Sequence, residues 1–521
     1  MERRTFLASG LSALAVIGAP QTGLAAAGSA SRSASVPNAT ARYVLGLARS
    51  LARRPFAAPA ERLPAALANL DYDQYRQVSF RGEKAVWNKE DLGFEVQFFP
   101  SAYLYTMPVS IFLVEDGRSR RLRSDASLFD FGPFAENVPP GTPVGFSGFR
   151  IHAPINRRDY YDEFLVFQGA SYFRGLGKGH RYGLSARALA LHTTGDEVEE
   201  FPIFRSFWIE RPATSDAITV HALLDSPSVA GAFTFVIRPG RATVMDVSSV
   251  LFPRQDLQNV GIAPLTSMFL KSAHDPDGPL DFRPSVHDSD GLAVWNGQDE
   301  RLWRPLLSPS TFQVSAFVDK GPRGFGLIQR ERRFDDYQDL EAFYELRPSG
   351  WVTPVGDWGA GSVELVEIPT DTEYVDNIVA YWKPDSPLRA GRSYNFAYQL
   401  AWCADAPALG RMQVRDTRIG AGARPGTVRF VVDFAENRAR ERIADSAVIL
   451  SDAPPVALVD PDLSASAGTL SGPFVQPNPH MPGTRVVFEL DPGQEPVVEL
   501  RLTLRDQGEP VSETWLYRWC A

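Results

Sequence analysis

Cysteine, histidine and lysine are scarce in this chain of 521 residues. It has two cysteines and seven histidines, and lysine accounts for six of its 53 basic residues. The histidines are scattered, and no H-x-H, H-E-x-x-H or C-x-x-C spacing occurs that would hold a metal. A Walker loop, a G-x-G-x-x-G turn and a G-x-S-x-G nucleophile elbow are also missing. The sequence therefore predicts no metal site and no cofactor.

Concentrated positive charge is also lacking. The 62 acidic and 53 basic residues give a formal net charge of −9, and no stretch gathers the basic ones. A nucleic-acid partner is therefore not expected, because binding to phosphates needs a concentrated basic surface. We interpret the preference for arginine over lysine as codon bias. A content of 44% hydrophobic and 22% charged residues excludes a mostly disordered chain.

The first 27 residues predict an export signal. Paired arginines at positions 3 and 4 precede an apolar stretch at 11–20 and small residues at 25–27. A charged start, a short apolar core and a small-residue cleavage site define a signal peptide, and the paired arginines match the twin-arginine pattern. The Ser- and Ala-rich residues 28–37 predict a disordered leader. Because no later stretch has eighteen uninterrupted apolar residues, we expect a periplasmic mature protein without a membrane span.

Short strands dominate the rest of the pattern. Residues 94–98 and 498–504 alternate between apolar and polar side chains, and glycine and proline number 41 each. Helical spacing is clear only near the start, where Val44, Leu47 and Leu51 lie on one face of a predicted helix. The sequence therefore predicts an all-β protein.

Two domains are predicted after the leader. Residues 38–385 suit a large antiparallel sandwich, and residues 396–521 suit a smaller, immunoglobulin-like sandwich. The connecting chain has two prolines and a glycine, so a linker is placed at residues 386–395. Both cysteines, Cys403 and Cys520, fall in the second domain. A disulfide between them and a pair of free thiols both remain open.

Polar residues are concentrated in two short segments, 284–292 and 367–380, with many aromatic residues between them. A glycan cleft needs this combination, because aromatic faces stack on sugar rings and carboxylates supply the acid and base for glycosidic cleavage. Other interpretations stay open. The run 287–290 also fits an Asx turn or a calcium loop, and the aromatic residues also suit a core.

Motifs spread along the chain carry a family resemblance. They lie at residues 145–156 (GFSGFRIHAPIN), 169–174 (GASYFR), 182–187 (YGLSAR), 200–202 (EFP), 207–210 (FWIE), 222–227 (ALLDSP), 261–269 (GIAPLTSMF), 286–292 (VHDSDGL), 347–352 (RPSGWV), 376–380 (DNIVA) and 512–515 (SETW). In this order they resemble the family of periplasmic glucan biosynthesis proteins G and D. The resemblance covers almost the whole chain after the signal, and the twin-arginine leader is similar to the D members.

The resemblance implies a fold and a substrate. The fold would be a large galactose-mutarotase-like β-sandwich followed by a smaller immunoglobulin-like β-sandwich. The substrate would be the β-1,2-glucan backbone of osmoregulated periplasmic glucans, acted on by an inverting endo-β-1,2-glucanase or a transglycosylase. The alternatives are a non-catalytic glucan-binding factor that controls backbone structure and a cofactor-bearing oxidoreductase, the latter suggested only by the export signal. Implied partners are glucan chains, other glucan-biosynthesis proteins at the inner membrane, and a second copy of this chain.

The resemblance also implies roles for individual residues. Asp376 falls on the family's general acid and Asp288 on its general base, with His287 and Asp290 orienting Asp288. Core packing is the alternative for each aromatic candidate. The substrate-binding candidates are His287, Asp290, Trp303, Tyr344, Arg347, Trp351 and Trp358.

Overall fold

The structure, a computed structural model, consists almost entirely of β-strands, which confirms the predicted all-β class. The residues it describes are 38–59, 63, 65–68, 70–133, 138–195, 197–275, 280–406, 411–436 and 459–521. The export signal and the leader predicted over residues 1–37 lie outside the described residues.

The regular elements are numbered in chain order. The helices are α1 (Ala39–Ala52), α2 (Ala65–Ala68), α3 (Tyr72–Arg76) and α4 (Phe334–Tyr337). The strands of the first half are β1 (Ser79–Phe80), β2 (Glu95–Pro100), β3 (Ser110–Glu115), β4 (Arg118–Arg121), β5 (Phe129–Asp130), β6 (Phe146–Arg157), β7 (Tyr160–Gln168), β8 (Tyr172–Gly175), β9 (Ser185–Arg187), β10 (Leu189–Leu191), β11 (Ile203–Glu210), β12 (Ile218–Asp225), β13 (Val229–Arg238), β14 (Thr243–Pro253), β15 (Val260–Ser267) and β16 (Phe269–Lys271). Those of the second half are β17 (Val286–His287), β18 (Gly291–Trp295), β19 (Arg301–Pro305), β20 (Gln313–Lys320), β21 (Gly324–Ile328), β22 (Ser349–Val355), β23 (Ala360–Glu367), β24 (Ile378–Pro384), β25 (Tyr394–Cys403), β26 (Gln413–Ala421), β27 (Val428–Ala435), β28 (Asp460–Ala465), β29 (Thr469–Pro477), β30 (Gly483–Asp491), β31 (Val497–Asp506), β32 (Glu509–Pro510) and β33 (Thr514–Cys520).

Three sheets organise these strands. Sheet A has the order β28-β31-β33-β19-β18-β21-β22-β25-β14-β13-β12-β11-β3-β4, with β32 beside β31. Sheet B has the order β2-β6-β7-β8-β9-β15-β24-β23-β20, with β10 beside β15. Sheet C has the order β26-β27-β30-β29, and β16 pairs with β17 in a separate two-stranded ribbon.

Sheets A and B pack face to face around an aromatic core. Phe167 of sheet B lies 5.5 Å from Phe207 and 5.2 Å from Phe235 of sheet A, measured between ring centroids. Phe149 of sheet B lies 5.0 Å from Phe207. These rings meet mostly edge to face, the geometry that aromatic pairs prefer. The first sandwich is therefore stabilised by burial of the apolar faces of two sheets.

A second sandwich forms where sheet C packs on the end of sheet A. The rings of Phe430 and Phe488, both in sheet C, pack against the ring of Trp515 in β33. Their centroids lie 6.0 and 5.9 Å, respectively, from the centroid of Trp515. Because β33 also pairs with β19, sheet A runs without a break from one sandwich into the other. The galactose-mutarotase-like and immunoglobulin-like descriptions stay predictions.

A strand of sheet A begins inside the segment predicted as a linker, 386–395. Strand β25 begins at Tyr394 and pairs with β14 and β22 through Cys403, inside sheet A. Proline and glycine punctuation marks turns, and it does not show to which sheet the following strand returns. The division of the chain into two domains at this segment stays a prediction.

Both cysteines are free thiols in the structure. Cys403 ends β25 and Cys520 ends β33, and four strands of sheet A lie between these two strands. Neighbouring strands are spaced by about 4.8 Å, which places the two strands well beyond the roughly 7 Å between Cα atoms that a disulfide tolerates. Of the two alternatives for the cysteines, this geometry favours free thiols.

The described part of the chain contains no helix that is both long and apolar enough to cross a membrane. Helix α1 packs instead on the outer face of sheet A, where Val44 and Ala48 are buried against Trp208, Leu223 and Phe252. Its N-cap is Asn38, whose side chain accepts a hydrogen bond from the backbone of Ala41 at 2.8 Å. The helix predicted from the apolar spacing near the start is confirmed.

The second core predicts a large effect of one phenylalanine. Phe430 is fully buried, so Phe430→Ala should lower the free energy of unfolding by about 3–5 kcal/mol through lost burial and a cavity. Phe474 of the same sheet is 62% exposed, and Phe474→Ala should change it by less than about 0.5 kcal/mol. Urea unfolding measures both, and equal effects would contradict the described packing.

Candidate active site

Asp288 lies at the end of the short ribbon formed by β16 and β17. It directly follows His287, the last residue of β17, and its backbone N–H donates to the carbonyl of Met268 at 2.8 Å. Its side chain is 6% exposed and forms an ion pair with Arg347, whose Nη1 donates to Asp288 Oδ1. A buried carboxylate needs such a partner, because desolvating a lone charge is costly.

Arg347 is itself held in place by neighbouring groups. Its Nε and Nη2 donate to the carbonyl of Ala342 at 3.3 and 3.2 Å. Its guanidinium lies over the ring of Tyr344, 4.2 Å from the centroid, which adds a cation–π contact. The guanidinium therefore faces Asp288 in a fixed orientation.

Asp376 stands immediately before Asn377 and strand β24. Its side chain is 24% exposed, and Oδ2 lies 3.8 Å from Nη2 of Arg174. Burial raises the pKa of Asp376 above its ordinary value, and the negative charge of Asp288 raises it further, while Arg174 and Arg187 oppose the rise. The two predicted acids are thus close enough to influence each other electrostatically.

One dipeptide, Met268–Phe269, anchors both acids. The carbonyl of Met268 accepts the N–H of Asp288, and the N–H of Phe269 donates to Asn377 Oδ1 at 2.8 Å. Asn377 Nδ2 also donates to the carbonyls of Phe269, at 2.9 Å, and Ile368, at 3.1 Å. Asn377 is fully buried and adjoins Asp376, so this one backbone segment sets the register between the two carboxylates.

His287 and Asp290 lie beneath Asp288, away from solvent. The His287 ring stacks on Phe269, with centroids 5.4 Å apart, and Nε2 lies 3.3 Å from Oε2 of Glu331. Asp290 Oδ2 accepts the backbone N–H groups of Arg330 at 2.9 Å and of Glu331 at 3.1 Å. Both residues are at most 5% exposed, so they support the Asp288 loop from behind.

The contacts of this turn are not those of a calcium loop. The carboxylate of Asp288 accepts a hydrogen bond from Arg347, and the carboxylate of Asp290 accepts hydrogen bonds from backbone N–H groups. Within the described residues, no group of three or more His, Cys, Asp or Glu side chains is arranged to hold a metal ion.

The aromatic candidates lie in different places. Tyr344 lies next to Asp288, and its hydroxyl donates to Glu373 Oε2 at 3.0 Å. Trp303 is buried in the second core and carries the Arg330 guanidinium on its ring at 3.5 Å. Trp351 is buried in that core as well, and Trp358 is buried in the first core. Of the predicted substrate-binding residues, the structure brings Tyr344 and Arg347 to the acids, while the three tryptophans fill cores.

Two arginines that the sequence analysis did not select complete the surroundings of Asp376. Arg174 makes the contact described above. Arg187 lies between the rings of Tyr172 and Phe201, at 5.4 and 5.6 Å from the centroids, and donates to Glu199 at 2.8 Å. Both arginines end sequence motifs that carry the family resemblance, which was the available signal.

A cluster of half-buried tyrosines lies near Arg174. The ring of Tyr75 lies 6.1 Å from that of Tyr103 and 5.8 Å from that of Tyr105. Burial raises the pKa of Tyr105, and the nearby positive charge of Arg174 opposes that rise. Aromatic faces beside the acids can stack on the apolar faces of sugar rings.

Comparisons with known proteins show which family the chain belongs to. The family model described as periplasmic glucan biosynthesis protein, MdoG, matches residues 40–519. A protein of Rhodopseudomonas palustris named glucans biosynthesis protein G is 50% identical over 475 residues, which is 91% of this chain and 92% of that protein. Proteins of the same name from Vibrio cholerae serotype O1 and Shewanella frigidimarina are each 48% identical, over 91% and 94% of this chain and 86% of each protein. These relatives carry the name G, whereas the leader resembles D members.

The buried Glu331 predicts a specific loss of stability in acid. Burial alone would raise its pKa, but the ion-pair contact with His287 lowers it to about 2. An unfolded Glu titrates near pH 4.3, so this carboxylate stabilises the fold above that pH, and the stabilisation is lost as pH falls towards about 2. Between about pH 5 and pH 2.5 this loss should reach roughly 2 kcal/mol in wild type.

The test is urea unfolding from about pH 5 to about pH 2.5. Glu331→Gln should show a shallower decline than wild type, whereas Glu83→Gln, at an exposed position, should follow wild type. Parallel curves for all three proteins would rule out this role for Glu331.

Proposed function

The chain belongs to the family of periplasmic glucan biosynthesis proteins, and from this premise we propose that it cleaves or transfers β-1,2-linked glucan chains with Asp376 as general acid and Asp288 as general base. The observation that supports the proposal most strongly is the pair of acids itself. One has a raised pKa and partial access to solvent, and the other is ion-paired and buried, yet both are anchored to the same dipeptide. Two neighbouring carboxylates whose surroundings differ in this way suit the roles of an acid and a base.

In the proposed reaction, Asp376 gives up one proton and Asp288 takes up another. In hydrolysis, a water oxygen bonds to the anomeric carbon, and the proton of that water goes to Asp288. The bond from the anomeric carbon to the glycosidic oxygen breaks, and Asp376 gives its proton to that oxygen. In transfer, a sugar hydroxyl takes the place of the water. Arg347 bonds to Oδ1 of Asp288, so the incoming proton is assigned to Oδ2.

The surroundings suit each role. Burial and the neighbouring charge of Asp288 favour the protonated form of Asp376, which an acid requires. The guanidinium of Arg347 offsets the charge of Asp288. The tyrosine cluster beside Arg174 offers faces for glucose rings, and Tyr344 borders the base. We further propose delivery to the periplasm by the twin-arginine route, as the leader sequence predicts.

Asp376→Asn tests the assignment directly. Mature wild-type protein incubated with linear β-1,2-glucan should convert long chains to shorter products, read by mass spectrometry. Asp376→Asn should lower the rate about 10²- to 10⁴-fold, the usual contribution of a general acid. Asp371→Asn, at an exposed position of the same loop, should keep the wild-type rate. Products lighter by one water would identify cyclising transfer, and binding without turnover by wild type would favour the glucan-binding factor.

The pH profile tests the protonation of Asp376. Because the acid must be protonated, kcat/KM should fall as pH rises through the pKa of Asp376. Arg174 lowers that pKa, so Arg174→Met should move the alkaline limb to higher pH. Arg157→Met removes an arginine that is 71% exposed and pairs with Asp159, and it should leave the profile unchanged. An unmoved limb in Arg174→Met would speak against Asp376 as the acid.

A further inference from the structure

Arg283 lies among three carboxylates near the acids. Its Nη1 lies 2.7 Å from Asp339 Oδ2 and 2.7 Å from Glu373 Oε2, and its Nη2 lies 2.7 Å from Asp281 Oδ2. Its Nε also donates to Asp281 Oδ1 at 3.0 Å. The four side chains are only 11–21% exposed. One guanidinium thus contacts three mostly buried carboxylates at once.

Asp339 connects this arginine to the base. Asp339 Oδ1 accepts the backbone N–H groups of Glu341 at 2.8 Å and of Ala342 at 2.7 Å. The carbonyl of the same Ala342 accepts two hydrogen bonds from Arg347, which pairs with Asp288. The path from Arg283 to Asp288 therefore consists of direct contacts within one short segment.

Glu373 connects the arginine to the acid. It stands three residues before Asp376 in the same loop. Its Oε2 accepts the hydroxyl of Tyr344 at 3.0 Å as well as contacting Arg283, and Tyr344 lies beneath Arg347. The loop of the acid and the segment of the base therefore meet at one guanidinium.

We propose that Arg283 is a positioning residue that holds the Asp376 loop and the Arg347 segment together, and so sets the relative placement of the two acids. This inference rests on the proposed function. The planar fork of arginine can bond several carboxylate oxygens at once, and the single ammonium group of lysine cannot reproduce that geometry. Arg283 touches no reacting atom in this scheme and acts through Asp339 and Glu373.

Steady-state kinetics on linear β-1,2-glucan test the positioning role. Misplacing reacting groups by about 1 Å can cost about 10²-fold in rate, so Arg283→Met should lower kcat by that order and change KM little. Arg283→Lys should recover only part of kcat. Arg389→Met is the matched control, because that arginine is 56% exposed and pairs with Asp256 at the surface. Wild-type kinetics in Arg283→Met would overturn the proposal.

The pH dependence separates positioning from general stability. The charged and titratable groups around Arg283 are Asp281, Asp339 and Glu373, with Lys271 near Asp281 and with Tyr344 and Arg347 near Glu373. Without the guanidinium, Asp339 and Glu373 repel each other, and protonation at lower pH relieves this repulsion. The kcat optimum of Arg283→Met should therefore move to lower pH. A lower melting temperature with an unmoved optimum would instead assign Arg283 a structural role.

Amide hydrogen exchange gives a readout that needs no turnover. In Arg283→Met, peptides that contain the N–H groups of Glu341 and Ala342 should exchange faster than in wild type and in Arg389→Met, while core strands of sheet A stay protected. If wild type proves inactive on the glucan, the proposed function fails, and the exchange data still decide whether the two loops are held together. Unchanged protection of these peptides would overturn the inference.

Discussion

The hydrogen bonds of one dipeptide, Met268–Phe269, are the constraint on which the site depends. Met268 binds the backbone that carries Asp288, and Phe269 binds the side chain adjacent to Asp376. Backbone hydrogen bonds of this kind are geometrically strict, and the Asn377 amide that completes them is fully buried. The β-framework therefore fixes the backbone that carries the two acids, and the contacts of Arg283 act on the loops that this framework presents.

Arginine rather than lysine supports this framework. Arg330 makes paired contacts to Glu513 at 2.9 and 2.8 Å and lies 3.5 Å from the centre of the Trp303 ring, so it joins the two sandwiches by charge and by stacking. Arg347 likewise combines an ion pair with a stacked ring. A lysine ammonium cannot make both contacts at once. Whatever the origin of the arginine-rich composition, at these positions the guanidinium has a specific structural use.

Much of the fold was predictable because alternation of apolar and polar residues is a local property. The all-β class follows from this alternation, and the helix at residues 39–52 follows from the equally local spacing of three and four residues between apolar side chains. Strand pairing is not local, so the return of β25 into sheet A was not predictable from the punctuation near residue 390.

The candidate site was predictable only in part. The family resemblance indicated Asp288 and Asp376, together with the neighbouring Tyr344 and Arg347. Both Tyr344 and Trp303 are buried. Residue type alone could not separate Tyr344, which lies under Arg347 beside Asp288, from Trp303, which fills the second core, because sequence does not show which buried ring adjoins a site. Arg283 has partners at positions 281, 339 and 373, and such a convergence emerges only once the loops are placed in space.

The continuity of sheet A has a consequence for how the protein is made. Strand β19, which pairs with the strand that follows the Asp288–Asp290 turn, finds its other neighbour in β33. Thr514 at the start of β33 bonds to Glu300 across 214 positions of sequence. During synthesis the edge of β19 therefore stays open until residues 514–520 have emerged, and an open edge invites pairing with other chains. A chaperone that shields nascent strands would have to cover this edge until almost the whole chain has been synthesised.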